Sequence, residues 1–247
     1  MKYKTIKYKK KGLVAYIVLD LPESGRSIYE CMCTELLNVC DIISQDDSIN
    51  VVVIKNSEKA ISFGATNEAN ATICEAINAI AHLEKIVVAI INGDAIGKGL
   101  ELALACDVRI ASDRSRFALP NVAEGSIPSS GGTQRLPRLI GQAKALELIL
   151  TANVIDAAEA FRIGLIQKIV PFQDIDKEAD ILVKKIAEKA PIALRFCKEA
   201  VNKGMDLTFE QGLRLEADLY FLIQTTSDRI EGIKAFLEKR APTFKGE

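Results

Sequence analysis

Histidine is nearly missing: His82 is the single imidazole in 247 residues. A Ser-His-Asp or Cys-His hydrolase would have to be built on that residue alone. Its place, after a predicted helix and before an apolar strand, suits a surface or helix-end residue rather than a catalytic one. An excess of either charge is lacking too. With 32 basic and 33 acidic residues the net charge is −1, so nothing draws the chain to nucleic acid or an anionic membrane. No apolar run reaches the ~18–20 residues that span a bilayer. The N-terminal MKYKTIKYKKKG is basic but lacks the apolar stretch of a signal peptide. A cytoplasmic enzyme is the expectation. Cysteines at 31, 33, 40, 74, 106 and 197 form no CxxC pair and no Cys/His metal spacing. They read as small core hydrophobes, and no metal is expected.

What is present is the material of an ordinary globular enzyme. Hydrophobic residues make up 49% and charged residues 26%, and a chain of this length buries roughly 70–75% of its unfolded surface without staples. VAYIVL at 14–19 predicts a strand, and a helix follows with Met32, Leu36, Leu37 and Val39 apolar, ending at Asp46-Asp47. Residues 51–54 and 86–91 are apolar throughout, as strands buried on both faces are. Between them lie an irregular stretch over 57–69 and a helix near 72–83. A glycine turn then leads into a helix over 100–106 and a strand over 108–112. This alternation predicts an α/β fold with mainly parallel strands. From about Ala143 the pattern is helical (144–151, 157–163, 177–189, 192–205, 208–223), with 166–170 strand-like.

Chemistry concentrates in residues 92–141. Gly93, Gly97, Lys98 and Gly99 lack the spacer and terminal Ser/Thr of a P-loop, and Leu102 stands where a dinucleotide fingerprint needs its third glycine. What remains is a glycine turn opening a helix, whose free N–H groups suit developing negative charge such as an enolate oxygen. Glu101 falls in the first turn, where helix-dipole compensation is an equally good account of an acid.

The same segment resembles the core signature of the enoyl-CoA hydratase/isomerase (crotonase) family: a strand, NG, a glycine-rich turn, an acid on the helix, ACD, then FALPNVAEGSIPSSGGTQRLPRLIG. The likeness continues through Gly164-Leu165-Ile166 and Val170-Pro171 to the C-terminal DRIEGIKAFLEKRAPTFKG, and is weakest over residues 1–60. It implies a crotonase-like spiral of repeated β-β-α units over 1–190, with the active site, and a C-terminal helical subdomain over 191–247. It further implies an acyl-CoA thioester substrate, no cofactor beyond the coenzyme A of that substrate, and a homotrimer or homohexamer formed through the helical part.

By resemblance, the oxyanion hole is made of the backbone N–H groups of Ala65 and Lys98. Ser62, Phe63, Gly64, Thr66, Gly97 and Gly99 line the substrate and coenzyme A site. Phe63 and Thr66 replace the alanine and aspartate usual in the family's loop, and Lys98 stands where glycine is common. The Lys98 side chain is expected to face solvent, follow the coenzyme A phosphates or crowd the acyl pocket, and to be dispensable for turnover. The first of the family's two hydratase glutamates matches Glu101, whereas the second falls on Asn121, whose amide cannot exchange protons as a carboxylate does. Asp94 and Glu124 are spare acids nearby. One matched carboxylate favours double-bond isomerisation over hydration. Decarboxylation, thioester hydrolysis and non-catalytic acyl-CoA binding are the alternatives.

Overall fold

The basic N-terminal stretch forms a strand that its lysines had disguised. In the computed structural model, which describes residues 3–20, 26–56 and 70–247, β1 (Ile6–Lys11) pairs antiparallel with β2 (Val14–Leu19) across Gly12. It buries only Ile6 and otherwise presents lysines and tyrosine, which suits a sheet edge. Helix α1 (Arg26–Ser44) buries Met32, Cys33, Leu36, Val39, Cys40 and Ile43 at helical spacing. Strands β3 (Val51–Asn56) and β4 (Ile86–Ile91) extend the sheet in parallel, with α2 (Asn70–Ala81) between them. His82 follows α2, exposed, its Nδ1 2.7 Å from the Asn78 carbonyl, a helix-end residue as expected.

The chain then alternates between two sheets. After β4 come β5 (Ala95–Ile96) and α3 (Lys98–Leu104). Next are β6 (Val108–Ser112), β7 (Arg116–Ala118), a 3-10 turn at Pro120–Glu124, α4 (Gly132–Ile140) and α5 (Gln142–Thr151). Strand β8 (Ile155–Asp156), α6 (Ala157–Arg162) and β9 (Lys168–Val170) follow. The large sheet runs β1-β2-β3-β4-β6-β9 and the small one β5-β7-β8. A strand in the large sheet, a strand in the small one and a helix make up the β-β-α unit.

Side chains of the central strands divide between two cores, because neighbouring residues on a strand point to opposite faces. Val52, Ile54, Val87, Ala89 and Ile91 pack toward α1, α2 and α3. Val51, Val53, Val88, Ile90, Ile110 and Val170 pack against Ile175, Ala179, Val183 and Ala187 of α7 (Ile175–Ala187). Three helices complete the chain: α8 (Pro191–Gly204), α9 (Phe209–Ile223) and α10 (Ser227–Leu237). Helix α8 is tied down by Lys198, whose Nζ meets Asp107 at 2.8 Å and the Lys85 carbonyl at 3.0 Å. Among the described residues, no helix is long and apolar enough to cross a membrane.

The predicted strands and most helices stand within a few residues of their expected limits. Strand β1, the short strands β5, β7 and β8 of the small sheet, and helices α4 and α10 are additions. All six cysteines are free, and Cys33, Cys40 and Cys106 are the buried hydrophobes expected, burial pushing each thiol up to about 12. Cys197, by contrast, is exposed and Cys74 only half-buried.

Candidate active site

Glycine at 97 lets the chain turn from β5 into α3: its φ of 57° lies in the left-handed region that side chains disfavour. Its N–H donates to the Ala118 carbonyl at the end of β7 (2.9 Å), so the turn is fastened to the strand that leads to Asn121. Lys98 opens α3, and its backbone N–H has no partner within the helix. Glu101 sits one turn on, facing the same way.

Glu101 is fully buried, 0% exposed. Its Oε1 accepts the backbone N–H groups of Ser130 (2.6 Å) and Gly132 (2.9 Å), and Oε2 accepts the Lys98 ammonium at 2.7 Å. Charge-assisted bonds of this length fix a carboxylate in one orientation. Glycine at 132 is required for that grip, since a Cβ there would lie 2.8 Å from Pro128 Cβ and 3.0 Å from Glu101 Oε1.

For Lys98 two of the three expected places are excluded. Its side chain neither faces solvent nor reaches outward toward phosphates: it is 4% exposed and folds back onto Glu101. Nζ also donates to Ser129 Oγ (2.6 Å) and Ser130 Oγ (3.0 Å), so all three ammonium protons are placed. Cys74 on α2 joins the cluster, its Sγ 2.9 Å from Ser130 Oγ and 3.0 Å from the Ser129 carbonyl. From α4, Arg135 donates to the Ser130 carbonyl at 2.7 Å. Burial lowers the Arg135 pKa, and the Glu101 charge partly opposes that.

Asn121 lies in the 3-10 turn, 9% exposed, with its Oδ1 buried and without a hydrogen-bond partner among the described residues. An orphaned acceptor beside a ligand site is a place for a donor, water or substrate. The spare acids are elsewhere. Asp94 is clamped by Arg116 through both oxygens, at 3.0 and 2.5 Å, and Glu124 is exposed. Ser62, Phe63, Gly64, Ala65 and Thr66 lie outside the described residues.

The fold therefore gathers Gly97, Lys98, Gly99 and Glu101 at one turn and fastens that turn to the strand before Asn121. Sequence reasoning missed Ser129, Ser130, Gly132 and Cys74 as partners. The available signal was Pro-Ser-Ser-Gly-Gly before a helix, a set of free N–H groups in search of an anion.

A family model described as enoyl-CoA hydratase/isomerase matches residues 9–247. The chain is 35% identical to a crotonyl-CoA hydratase of Syntrophomonas wolfei over 257 residues, covering 99% of each. It is 34% identical to a mitochondrial enoyl-CoA hydratase of Pongo abelii, covering 96% of this chain and 86% of that one. The crystal structure of an enoyl-CoA hydratase from Bacillus anthracis superposes with a TM-score of 0.92 at 35% identity, over 99% of this chain and 100% of that one.

Proposed function

The chain belongs to the enoyl-CoA hydratase/isomerase family, an acyl-CoA-transforming enzyme of it, and we propose that it hydrates or isomerises an enoyl-CoA through a thioester enolate. The observation that carries this reading is Glu101, a buried carboxylate one helical turn from the Lys98 N–H and held by two backbone donors. The N–H groups of Lys98 and Ala65 are the proposed oxyanion hole. Donors aimed at the thioester oxygen lower the cost of negative charge next to the carbonyl. Glu101 then moves the proton: from water as it adds to C3, or between C2 and C4 in double-bond migration. Asn121 offers its free Oδ1 to a water or a substrate hydroxyl. The reaction draws on no group beyond the coenzyme A of the substrate, and the reading is of a cytosolic enzyme working as an assembly of identical copies.

The test is exchange of the α-protons of butyryl-CoA with D2O, which needs only enolate formation, run beside crotonyl-CoA, a 3-enoyl-CoA and a malonyl-type thioester. The native protein should exchange the α-protons and act on one or both enoyl substrates. Glu101→Gln should lower both rates by about 10²–10⁴, the usual worth of a general acid–base. Undiminished exchange by Glu101→Gln sinks the assignment, and action on the malonyl thioester alone points to decarboxylation or hydrolysis instead.

A further inference from the structure

Adding water across a C2=C3 bond moves two protons, one off the water and one onto C2. Glu101 accounts for one. The Asn121 amide is no proton carrier, Glu124 is exposed and Asp94 is locked to Arg116. Among the described residues that bond Glu101, the side chain with a transferable proton is Lys98, 2.7 Å away. Resting on the enolate reading above, we propose that Lys98 is the second proton carrier of the site, a catalytic ammonium in place of a second carboxylate.

Its position is hard to explain by stability alone. A cation at the first residue of a helix runs against the helix dipole. A buried ammonium also loses its hydration, which pairing with a carboxylate often only breaks even against. Local rules broken twice at one residue are characteristic of a functional site. Reach fits as well. The thioester oxygen would rest on the Lys98 N–H, and C2 is one bond from that carbonyl carbon, so a side chain rooted at 98 has the length to reach it. Ser129 and Ser130 hold the ammonium. Ser129 is exposed, and its bond is the one an arriving substrate can replace. Among the described residues, the other charged group facing the cluster is Arg135, with the Cys74 thiol beside Ser130.

The step balances. Glu101 Oε2 takes a proton from water as the water oxygen bonds C3, and the C2=C3 pair moves into the enolate. The enolate pair then forms a C2–H bond with a proton from Lys98 Nζ, leaving a neutral amine. The proton on Glu101 crosses the 2.7 Å contact to Nζ and restores carboxylate and ammonium. One water is consumed and nothing else.

Hydration of crotonyl-CoA by the native protein, Lys98→Met, Lys98→Arg and Lys98→Gly tests this, with circular dichroism on each. Native protein should hydrate. Lys98→Met should lose about 10²–10⁴ in kcat with KM little changed. Lys98→Arg keeps charge and donors but does not release a proton, and should be as slow as Lys98→Met. Methylamine added to Lys98→Gly should restore part of the rate. The proposal is overturned by native-like turnover in Lys98→Arg, which would make the lysine a structural brace. A faster Lys98→Met, which would make it a plug, or a loss confined to KM does the same. A native protein that exchanges butyryl-CoA α-protons but leaves crotonyl-CoA unhydrated overturns it while the enolate reading stands. A native protein that exchanges none removes both.

Discussion

Gly132 shows how narrow the tolerance of the site is. Its missing side chain lets a backbone N–H come 2.9 Å from Glu101 Oε1. Gly132→Ala would put a carbon 2.8 Å from Pro128 Cβ, a ring on the backbone that has little room to give. The expected result is a folded protein with butyryl-CoA exchange reduced about 10²-fold, since misplacing a reacting group by about 1 Å costs that much. Native-like exchange by the alanine variant would show that the grip on Glu101 is not needed. The sequence disclosed the identity of Glu101 and the amide at 121, because both follow from spacing along a recognised motif. It did not disclose where the Lys98 side chain goes, because a lysine rotamer is chosen by partners 31 and 32 residues away, Ser129 and Ser130. The (i, i+3) spacing to Glu101 permits the pairing, but no local pattern supplies the two serines that complete it.

Helix α3 has seven residues, too few to be stable by itself. Its C-terminal end is held by Arg109 of β6, 4% exposed, whose guanidinium donates to the Cys106 carbonyl at 2.6 Å and the Ala103 carbonyl at 3.2 Å. The same group donates to the Leu165 carbonyl at 2.8 Å, so one side chain fastens α3 to the segment before β9. Burial lowers its pKa, yet the guanidinium remains charged across the working range. Arg109→Leu takes this donor from three carbonyls, of which that of Ala103 keeps the Cys106 N–H, and at about 1–3 kcal/mol for each buried group left unpaired the variant should unfold at markedly lower denaturant. Urea midpoints check this, and an unchanged midpoint would mean that water replaces the guanidinium. Elements were legible where periodicity was strong: α1, α7 and the all-apolar β3 and β4. Strand β1 was not, because its outward lysines hide the alternation, and α4 was not, because Gly131-Gly132 and Pro137 read as breakers although they stand at its start and near its end.

Across the whole molecule the apolar surface is unevenly shared. Phe209, Phe221, Ile230, Phe236 and Leu237, all on α9 and α10, are each at least 67% exposed, and Ile230, Ile233 and Leu237 line a shallow apolar depression. Exposed apolar surface on this scale marks an interaction site, in keeping with the assembly proposed above. The intact chain should sediment as an assembly at micromolar concentration, and Phe221→Glu with Phe236→Glu should shift it toward monomer while the circular dichroism spectrum holds. A well-folded monomer from the unaltered chain is the opposite outcome. There is also an order in time. The described side chains around Glu101 all belong to residues 74–135, the large sheet is completed at Val170 by β9, and the helices with the apolar surface come last. On a ribosome working from the N-terminus, the partners of Glu101 emerge before the last strand of the sheet, and the sticky helices only at the end. The groups that hold Glu101 are thus all made before the surface by which the proposed assembly would meet its neighbours.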